Sequence, residues 1–263
     1  MKICNNFFLH GYQVVESSVF LSIKKKIQNN ILKKLNLIIK FQKLNLKLVQ
    51  NFDQSIKKIN LYDQKNKTSI LSNFYEIFPS VPEFYSLADN AYFKNIIKKY
   101  GIKKATISNG PTIRIDYPQK NIFMTKAHQD IWYSLISNNS LTIWFNLTTL
   151  KSKDGPLTIY KDSHKYGIFN FKKTTKYSTH KLVTNKKFKK KQIILKENQF
   201  LIFNQKLVHE SGKNISSKPR VSIQLRFHNF FDLKKITSSF KFDVSNYVKS
   251  HVNDHLSKDS KSA

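Results

Sequence analysis

Two periodicities divide the chain. From Ser17 or Ser18, either of which can cap a helix, apolar Val19, Phe20, Ile23, Ile27, Ile31 and Leu35 recur at helical spacing and predict one long amphipathic helix. Ahead of it, Phe7-Phe8-Leu9-His10-Gly11-Tyr12-Gln13-Val14-Val15 reads as a short extended opening. Leu71 to Tyr100 carries further helical periodicity broken at Pro79 and Pro82, and Gly101 stands where a helix C-cap is expected. These stripes predict a mainly helical first third whose apolar faces belong to a core. From about Ala105 the period shortens to two. Thr112-Ile113-Arg114-Ile115-Asp116-Tyr117 alternates before Pro118 ends the run, and Ser140 to Leu147 alternates again. The second run puts Thr142, Trp144 and Asn146 on one face, with Leu141, Ile143, Phe145 and Leu147 on the other. Gln192 to Leu195, Gln199 to Phe203 and Val221 to Phe227 continue as short strands between turns such as Asp154-Gly155-Pro156. The expected class is α+β with a mainly β core, a sandwich or jelly roll, and a helical N-terminal region packed on it.

No Pro/Gly/Ser-rich linker or internal repeat breaks the pattern. One domain is expected over 1–245, helical over 1–104 and jelly-roll over 105–230, with a polar tail at 246–263; the lysine-rich run 186–191 reads as a loop. With 263 residues, 40% apolar and 13% aromatic, the chain can build one sizeable core around a buried site. No run of about eighteen apolar residues is free of charge, and Met1 to Phe20 lacks the continuous apolar stretch of a signal peptide. A cytoplasmic protein without a membrane partner is expected. The single cysteine, Cys4, excludes an internal disulfide and a cysteine-based metal cluster, so a metal would be held by His, Asp or Glu.

The net charge of +30 would ordinarily point to nucleic acid or another polyanion. Of the 46 basic residues, however, only Arg114, Arg220 and Arg226 are arginine, the side chain that nucleic-acid readers use most. The lysines are read as a solvated surface, and no specific nucleic-acid partner is expected. Where arginine survives in such a lysine-rich chain, a planar bidentate donor is needed.

The chemistry-bearing residues are His128-Gln129-Asp130, then His209, then Arg220. With eight His and 16 acidic residues among 263, about half a His-x-acid triplet arises by chance, so the triplet alone carries little. Its chemical sense is that side chains two apart on an extended segment point to one side, where an imidazole and a carboxylate can grip one ion and a distant His can complete a face. Two imidazoles and a carboxylate suit Fe(II) and leave three positions open, enough for a bidentate 2-oxo acid and O2. The far carboxylate of 2-oxoglutarate would then need a cation, and Arg220, eleven residues after His209, is placed to return beside the metal on the next strand. Alternation puts Ser222, Gln224 and Arg226 on the face of Arg220, with Val221, Ile223, Leu225 and Phe227 opposite.

From about Thr112 to Phe227 the chain resembles the phytanoyl-CoA dioxygenase family of Fe(II)/2-oxoglutarate oxygenases. The resemblance rests on His128-Gln129-Asp130, the strand Leu141 to Leu147 followed by Asp154-Gly155-Pro156-Leu157, Ser163-His164-Lys165, and the stretch Phe200 to Arg220 with His209-Glu210-Ser211, Asn214 and Ser216. Gly11-Tyr12 and the following helix are similar more weakly. The resemblance implies a double-stranded β-helix of the cupin-like kind. It implies iron held by His128, Asp130 and His209, and 2-oxoglutarate held by Arg220 with a hydrogen bond from Ser211 and a wall from Trp144. Read from the pattern alone, Trp144 is an ordinary core aromatic and Ser211 a turn residue. Two turns depart from the family's pattern: Lys161-Asp162 replaces Pro-Gly, and Asn198 replaces Gly or Asp. Related halogenases have a small residue where this chain has Asp130, so the resemblance implies hydroxylation.

The expected function is therefore an Fe(II)/2-oxoglutarate-dependent dioxygenase that hydroxylates a small molecule and releases succinate and CO2. Arg114, on the strand preceding the metal motif, is either a grip for an anionic substrate or half of an ordinary salt bridge. Two rival readings are a catalytically inactive cupin-like module binding a metal or polyanion, for which Arg220 has no use, and an oxygenase acting on nucleic acid, which the scarcity of arginine opposes. His164 is read as a loop residue, and His10, His180, His228, His251 and His255 as surface or satisfied histidines. Nothing in the pattern bears on oligomeric state.

Overall fold

The computed structural model of the chain describes residues 5–108, 110–119, 124–134, 137, 139–173 and 180–232. Six helices, α1 (Asn5–His10), α2 (Ser18–Phe41), α3 (Phe52–Asn66), α4 (Ile70–Ile77), α5 (Pro82–Tyr85) and α6 (Ala91–Lys98), precede all but one of the strands. The exception is β1 (Tyr12–Glu16). The extended opening expected from Phe7 onward is corrected here: Phe7 to His10 are helical, and only Tyr12 to Glu16 are extended. Gly11, at φ +82°, ends that first turn with its amide 2.9 Å from the Phe7 carbonyl.

The Ser17 hydroxyl accepts from the Phe20 amide at 3.2 Å and starts α2. That helix buries Phe20, Ile27, Ile31, Leu35 and Ile39, whereas Val19, also expected in the stripe, is 54% exposed because it lies one position off the helix's inward face. Pro82 occupies the first turn of α5, where its missing N–H costs nothing.

Ten further strands follow: β2 (Ala105–Ile107), β3 (Thr112–Asp116), β4 (Ser140–Asn146), β5 (Leu157–Tyr160), β6 (Asn170–Lys173), β7 (His180–Val183), β8 (Lys190–Ile193), β9 (Gln199–Asn204), β10 (His209–Glu210) and β11 (Arg220–Asn229). They pair antiparallel. The large sheet runs β1-β9-β4-β11-β2, with β3 alongside the first half of β11 and β2 alongside its end. A smaller sheet runs β10-β5-β8, and β6 pairs with β7. The expected loop at 186–191 gives way to strand at its last two residues, because Lys190 and Lys191 pair with Tyr160 and Ile159. The expected tail at 246–263 lies outside the described residues.

The large sheet is buried on both faces. Ile143, Phe145, Phe200, Ile202, Ile223 and Leu225 face the helices, where Phe20 meets Phe145 at 5.1 Å and Phe200 at 4.8 Å between ring centroids. The opposite face meets the small sheet through Trp144, Leu201, Phe203, Leu157, Ile159 and Ile193, which close a second apolar cluster. Two antiparallel sheets around a shared interior make a jelly roll with helices on its outer face. Farther along the inner face, apolar residues give way to Arg114, Asp116, Arg220, Ser222, Gln224 and Arg226, so that end of the interior is polar.

The connection into β5 and the one after β10 cross with no room to spare. A Cβ on Gly212 would stand 2.5 Å from the Pro156 carbonyl oxygen and 2.8 Å from the Gly155 carbonyl carbon, both main-chain atoms that cannot swing aside. Gly212→Ala is expected to cost about 1–3 kcal/mol of stability by overpacking, measured by urea unfolding, whereas Phe41→Ala, at a site 88% exposed, should change it little. An unaltered midpoint for Gly212→Ala would show that this crossing is looser than its distances indicate.

Candidate metal centre and its cavity

His128 and His209 lie directly opposite each other in an isolated antiparallel bridge, each amide donating to the other's carbonyl at 3.0 Å. Side chains of directly opposed residues leave the sheet on the same side, and the two imidazoles stand 4.2 Å apart between ring centroids. Gln129 turns the other way. Its amide nitrogen donates to the carbonyls of Gly167 and Lys206, and its oxygen accepts from the Phe169 amide, which clamps two neighbouring loops to the motif. Asp130, back on the side of His128, opens a short 3-10 turn through Tyr133. One ligand atom from each of His128, Asp130 and His209 lies within 4.8 Å of the others, and all three residues are buried.

The hydrogen bonds around the cluster aim the free atoms inward. His128 Nδ1 lies 2.8 Å from the Lys126 carbonyl and His209 Nδ1 3.0 Å from the Leu207 carbonyl. A carbonyl can only accept, so each imidazole donates from Nδ1 and points Nε2 at the centre. Nε2 of His128 and of His209 lie 3.8 and 3.7 Å from Asp130 Oδ1. The other carboxylate oxygen, Oδ2, accepts from the Thr142 hydroxyl at 2.6 Å. His209 Nε2 is buried without a hydrogen-bond partner, and Asp130 Oδ1 meets the Arg226 guanidinium at 3.2 Å. An unpaired acceptor in a buried site is costly unless a cation joins it. The donor set, two imidazole nitrogens and one carboxylate oxygen, fits a divalent transition metal.

Electrostatics supports the same state. Burial alone would raise the Asp130 carboxyl, but the Arg226 guanidinium, with the two imidazoles beside it, outweighs burial and holds Asp130 well below the usual carboxylate range. Burial, helped by His128 and opposed by Asp130, pushes His209 down to about 3. Both groups are thus in the protonation state a metal requires at neutral pH.

The cluster opens on a cavity of about 190 Å³ lined by His128 and His209 together with Arg114, Ser211, Gln224 and Arg226. No acidic side chain lines it among the described residues. Arg220 is 2% exposed and lies behind this lining, with Nε and Nη2 donating to Asp116 Oδ2 at 3.2 and 2.6 Å. The pairing follows from register, since Arg220 stands directly opposite Asp116 on β3. Asp116 takes one edge of the guanidinium and leaves Nη1 at the other end buried without a partner. The second oxygen of Asp116 accepts from Arg114 at 3.3 Å. Trp144 lies in the apolar cluster between the sheets, beside the polar region and not in the cavity lining.

The remaining histidines stand apart from the cluster. His164 bonds the Phe8 carbonyl through Nε2 and lies against Gly11. His10 pairs with Asp162 at 2.9 Å, and His228, fully buried, bonds Ser108 at 3.0 Å. His251 and His255 are outside the described residues, and the His180 side chain is not described. Thr142, Asp116 and Arg226 were not singled out as site residues from the sequence. For Arg226 the signal was present, because steps of two from Arg220 lead to it. For Thr142 and Asp116 the decisive fact is which strands lie side by side, which alternation within one strand does not contain.

The chain matches the family model described as phytanoyl-CoA dioxygenase over residues 50–222. No curated protein matches it by sequence. Among solved structures it is similar to EctD from S. alaskensis with 2-oxoglutarate and 5-hydroxyectoine, with a TM-score of 0.55 at 18% identity over 87% of this chain and 76% of that one. It is also similar to the epimerase SnoN in complex with Fe3+, alpha ketoglutarate and nogalamycin RO, with a TM-score of 0.54 at 11% identity over 87% and 82% of the two chains. A third, the non-heme monooxygenase ThoJ in its apo form, gives 0.55 at 11% identity over 87% and 77%. At such identities these are likenesses of fold.

Two outcomes follow from the geometry. Thr142→Val keeps the shape and removes the donor to Asp130 Oδ2, so divalent-metal affinity, measured by calorimetry with Mn(II), is expected to fall by roughly 10–100-fold; an unchanged affinity would show that Asp130 is oriented without it. The second concerns pH. Burial, with Arg226 adding to it, pushes His228 from 6.5 down to about 4, and His209 is depressed as well. As pH falls below about 6.5, the unfolded chain takes up protons that the folded chain excludes, so apoprotein stability is expected to drop across roughly pH 6.5 to 4. His228→Gln should flatten that slope by about one proton, roughly 1.4 kcal/mol per pH unit, in urea unfolding at several pH values.

Proposed function

The chain belongs to the phytanoyl-CoA dioxygenase family of Fe(II)/2-oxoglutarate-dependent oxygenases, and from that premise we propose that it hydroxylates a small-molecule substrate, consuming O2 and 2-oxoglutarate and releasing succinate and CO2. The observation that carries the reading is the buried convergence of His128, Asp130 and His209 on one point, where His209 Nε2 has no hydrogen-bond partner and the two imidazoles line a cavity. These three residues would hold Fe(II) on one face and leave the opposite positions to a bidentate 2-oxo acid and O2. When bound, iron and 2-oxoglutarate supply the oxidising chemistry.

The protein's own residues bind, orient and exclude water. Thr142 and the two carbonyls at Lys126 and Leu207 hold the ligands in the required tautomer and direction. The free Nη1 end of Arg220 and the Ser211 hydroxyl are the donors suited to the far carboxylate of 2-oxoglutarate, with Asp116 fixing the plane of the guanidinium from behind. Trp144, Leu157 and the second apolar cluster keep water from the inner side. A carboxylate at position 130 fills the place that related halogenases leave to chloride, which supports hydroxylation over halogenation.

Anaerobic absorption spectroscopy of the protein with Fe(II), titrated with 2-oxoglutarate, tests the assignment. A visible charge-transfer band is expected for the wild type and not for His209→Ala. Arg220→Ala is expected to need about tenfold more 2-oxoglutarate or higher to reach the same band. Iron binding by the wild type without the band would refute the cosubstrate assignment.

A further inference from the structure

A third of the chain's net charge sits in one short stretch. Residues 160–191 hold eleven lysines, no arginine and one acidic residue, Asp162, a net charge of +10 in 32 residues against +30 in 263. The stretch closes on itself as a lobe. Tyr160 pairs with Lys190 where β5 meets β8, the Lys161 amide donates to the Lys189 carbonyl at 3.0 Å, and β6 pairs with β7 between them. Gln129, between two of the metal ligands, bonds Gly167 and Phe169 and so ties the lobe to the metal motif.

The lobe joins that charge to exposed apolar surface. Tyr166, Ile168 and Val183 are 53%, 47% and 41% exposed. Half-buried Phe169 and Phe188 pack against Tyr166, with ring centroids 6.4 and 5.7 Å from its own. Exposed Phe8 and Leu9 on α1 lie next to the lobe, because His164, two residues before Tyr166, bonds the Phe8 carbonyl. Lys165 and Lys190 pair with Asp162 and Glu210. Lys172, Lys181, Lys187 and Lys189 are exposed and have no ion-pair partner among the described residues. Apolar side chains held in water within a ring of cations mark an interaction surface.

We propose that this lobe is a docking surface for an anionic lipid bilayer, with Tyr166, Ile168 and Val183 set at the boundary of headgroups and acyl chains and the lysines among the headgroup anions. Lysine meets those anions as a point charge on a flexible stem, which a fluid headgroup layer accepts without fixed geometry. Single-stranded nucleic acid fits less well. Bases stack on open ring faces, and those of Tyr166 and Tyr160 are covered by the ammonium groups of Lys186 and Lys190 at 4.3 and 4.8 Å. Docking of this kind needs no spanning helix, and among the described residues none is long and apolar enough to cross a membrane. The proposal does not depend on the iron reading.

The test titrates the full chain with vesicles of phosphatidylcholine alone and of phosphatidylcholine with about 30% phosphatidylserine, and reads binding by co-sedimentation. The anionic vesicles are expected to bind about tenfold tighter or more, and less tightly as salt rises. Because a chain of this net charge is drawn to any anionic surface, location decides. Lys172→Gln, Lys181→Gln, Lys187→Gln and Lys189→Gln together are expected to weaken binding about tenfold or more, and the same change at exposed Lys25, Lys26, Lys33 and Lys57 on the helices about threefold or less, each variant keeping its native circular dichroism. The emission of Ile168→Trp is expected to move to the blue on the anionic vesicles and to be quenched by brominated acyl chains, with Phe41→Trp on α2 unmoved. Binding that ignores phosphatidylserine, equal losses from the two lysine sets, an Ile168→Trp emission that stays in place, or tighter binding to a single-stranded oligonucleotide at equal phosphate would each overturn the proposal.

Discussion

Everything in the site hangs on the double burial of the large sheet. Its strands must satisfy helices on one face and an interior on the other, so alternation along β4 and β11 has to deliver two different surfaces at once. Ile143, Phe145, Ile223 and Leu225 meet the helices. The residues between them, Thr142, Trp144, Ser222, Gln224 and Arg226, meet the interior and define where it is dry and where it is polar. A one-residue slip in register would bring Arg226 under the helices and Leu225 against Asp130, so fold and site are specified by the same pairing.

That polar interior is expensive, and its organisation is the means of offsetting the expense. Asp130 and Arg220 are 0% and 2% exposed, and a charge so far from water persists only beside opposite charge and hydrogen-bond donors. Asp116 answers Arg220 and Arg114; Thr142 and Arg226 answer Asp130. What is left unanswered is informative because the rest is so fully paired. His209 Nε2 lacks a hydrogen-bond partner where the imidazoles converge, and Arg220 lacks one at Nη1. An unsatisfied acceptor calls for a cation and an unsatisfied guanidinium end calls for an anion, the two charges that Fe(II) and a dicarboxylate bring.

The large elements were legible because their signals are local. The stripe from Phe20 to Leu35, the shift to period two near Ala105 and the alternation in β4 and β11 each read from one segment, and the structure contains each element. The convergence of His128, Asp130 and His209 was legible for another reason: the chemistry of two imidazoles and one carboxylate names its own geometry. What escaped is non-local or depends on a single turn. Phe7 to His10 read as one extended opening with Tyr12 to Val15, but Gly11 supplies the left-handed residue that lets them close one helical turn. The Arg114, Asp116 and Arg220 relay exists because β3 lies on β11, a neighbour relation found in neither strand's own pattern.

The contrast between lysine outside and arginine inside has a physical basis that does not depend on codon drift. A lysine on the surface keeps its ammonium in water at the end of a flexible stem, and 43 of them can be accommodated as a solvated shell, being the 46 basic residues less the three arginines. In the interior the same ammonium loses strong hydration and can shed its proton. Lys24, 5% exposed behind the sheet, shows the trend, its value lowered chiefly by burial. A guanidinium is more weakly hydrated, stays charged and presents donors on two edges, so Arg220 can hold Asp116 on one edge and keep the other open. That two-edged geometry lets the site carry fixed positive charge beside a metal without collapsing onto its own carboxylates, and it explains why a chain so rich in lysine retains arginine on this face of the large sheet.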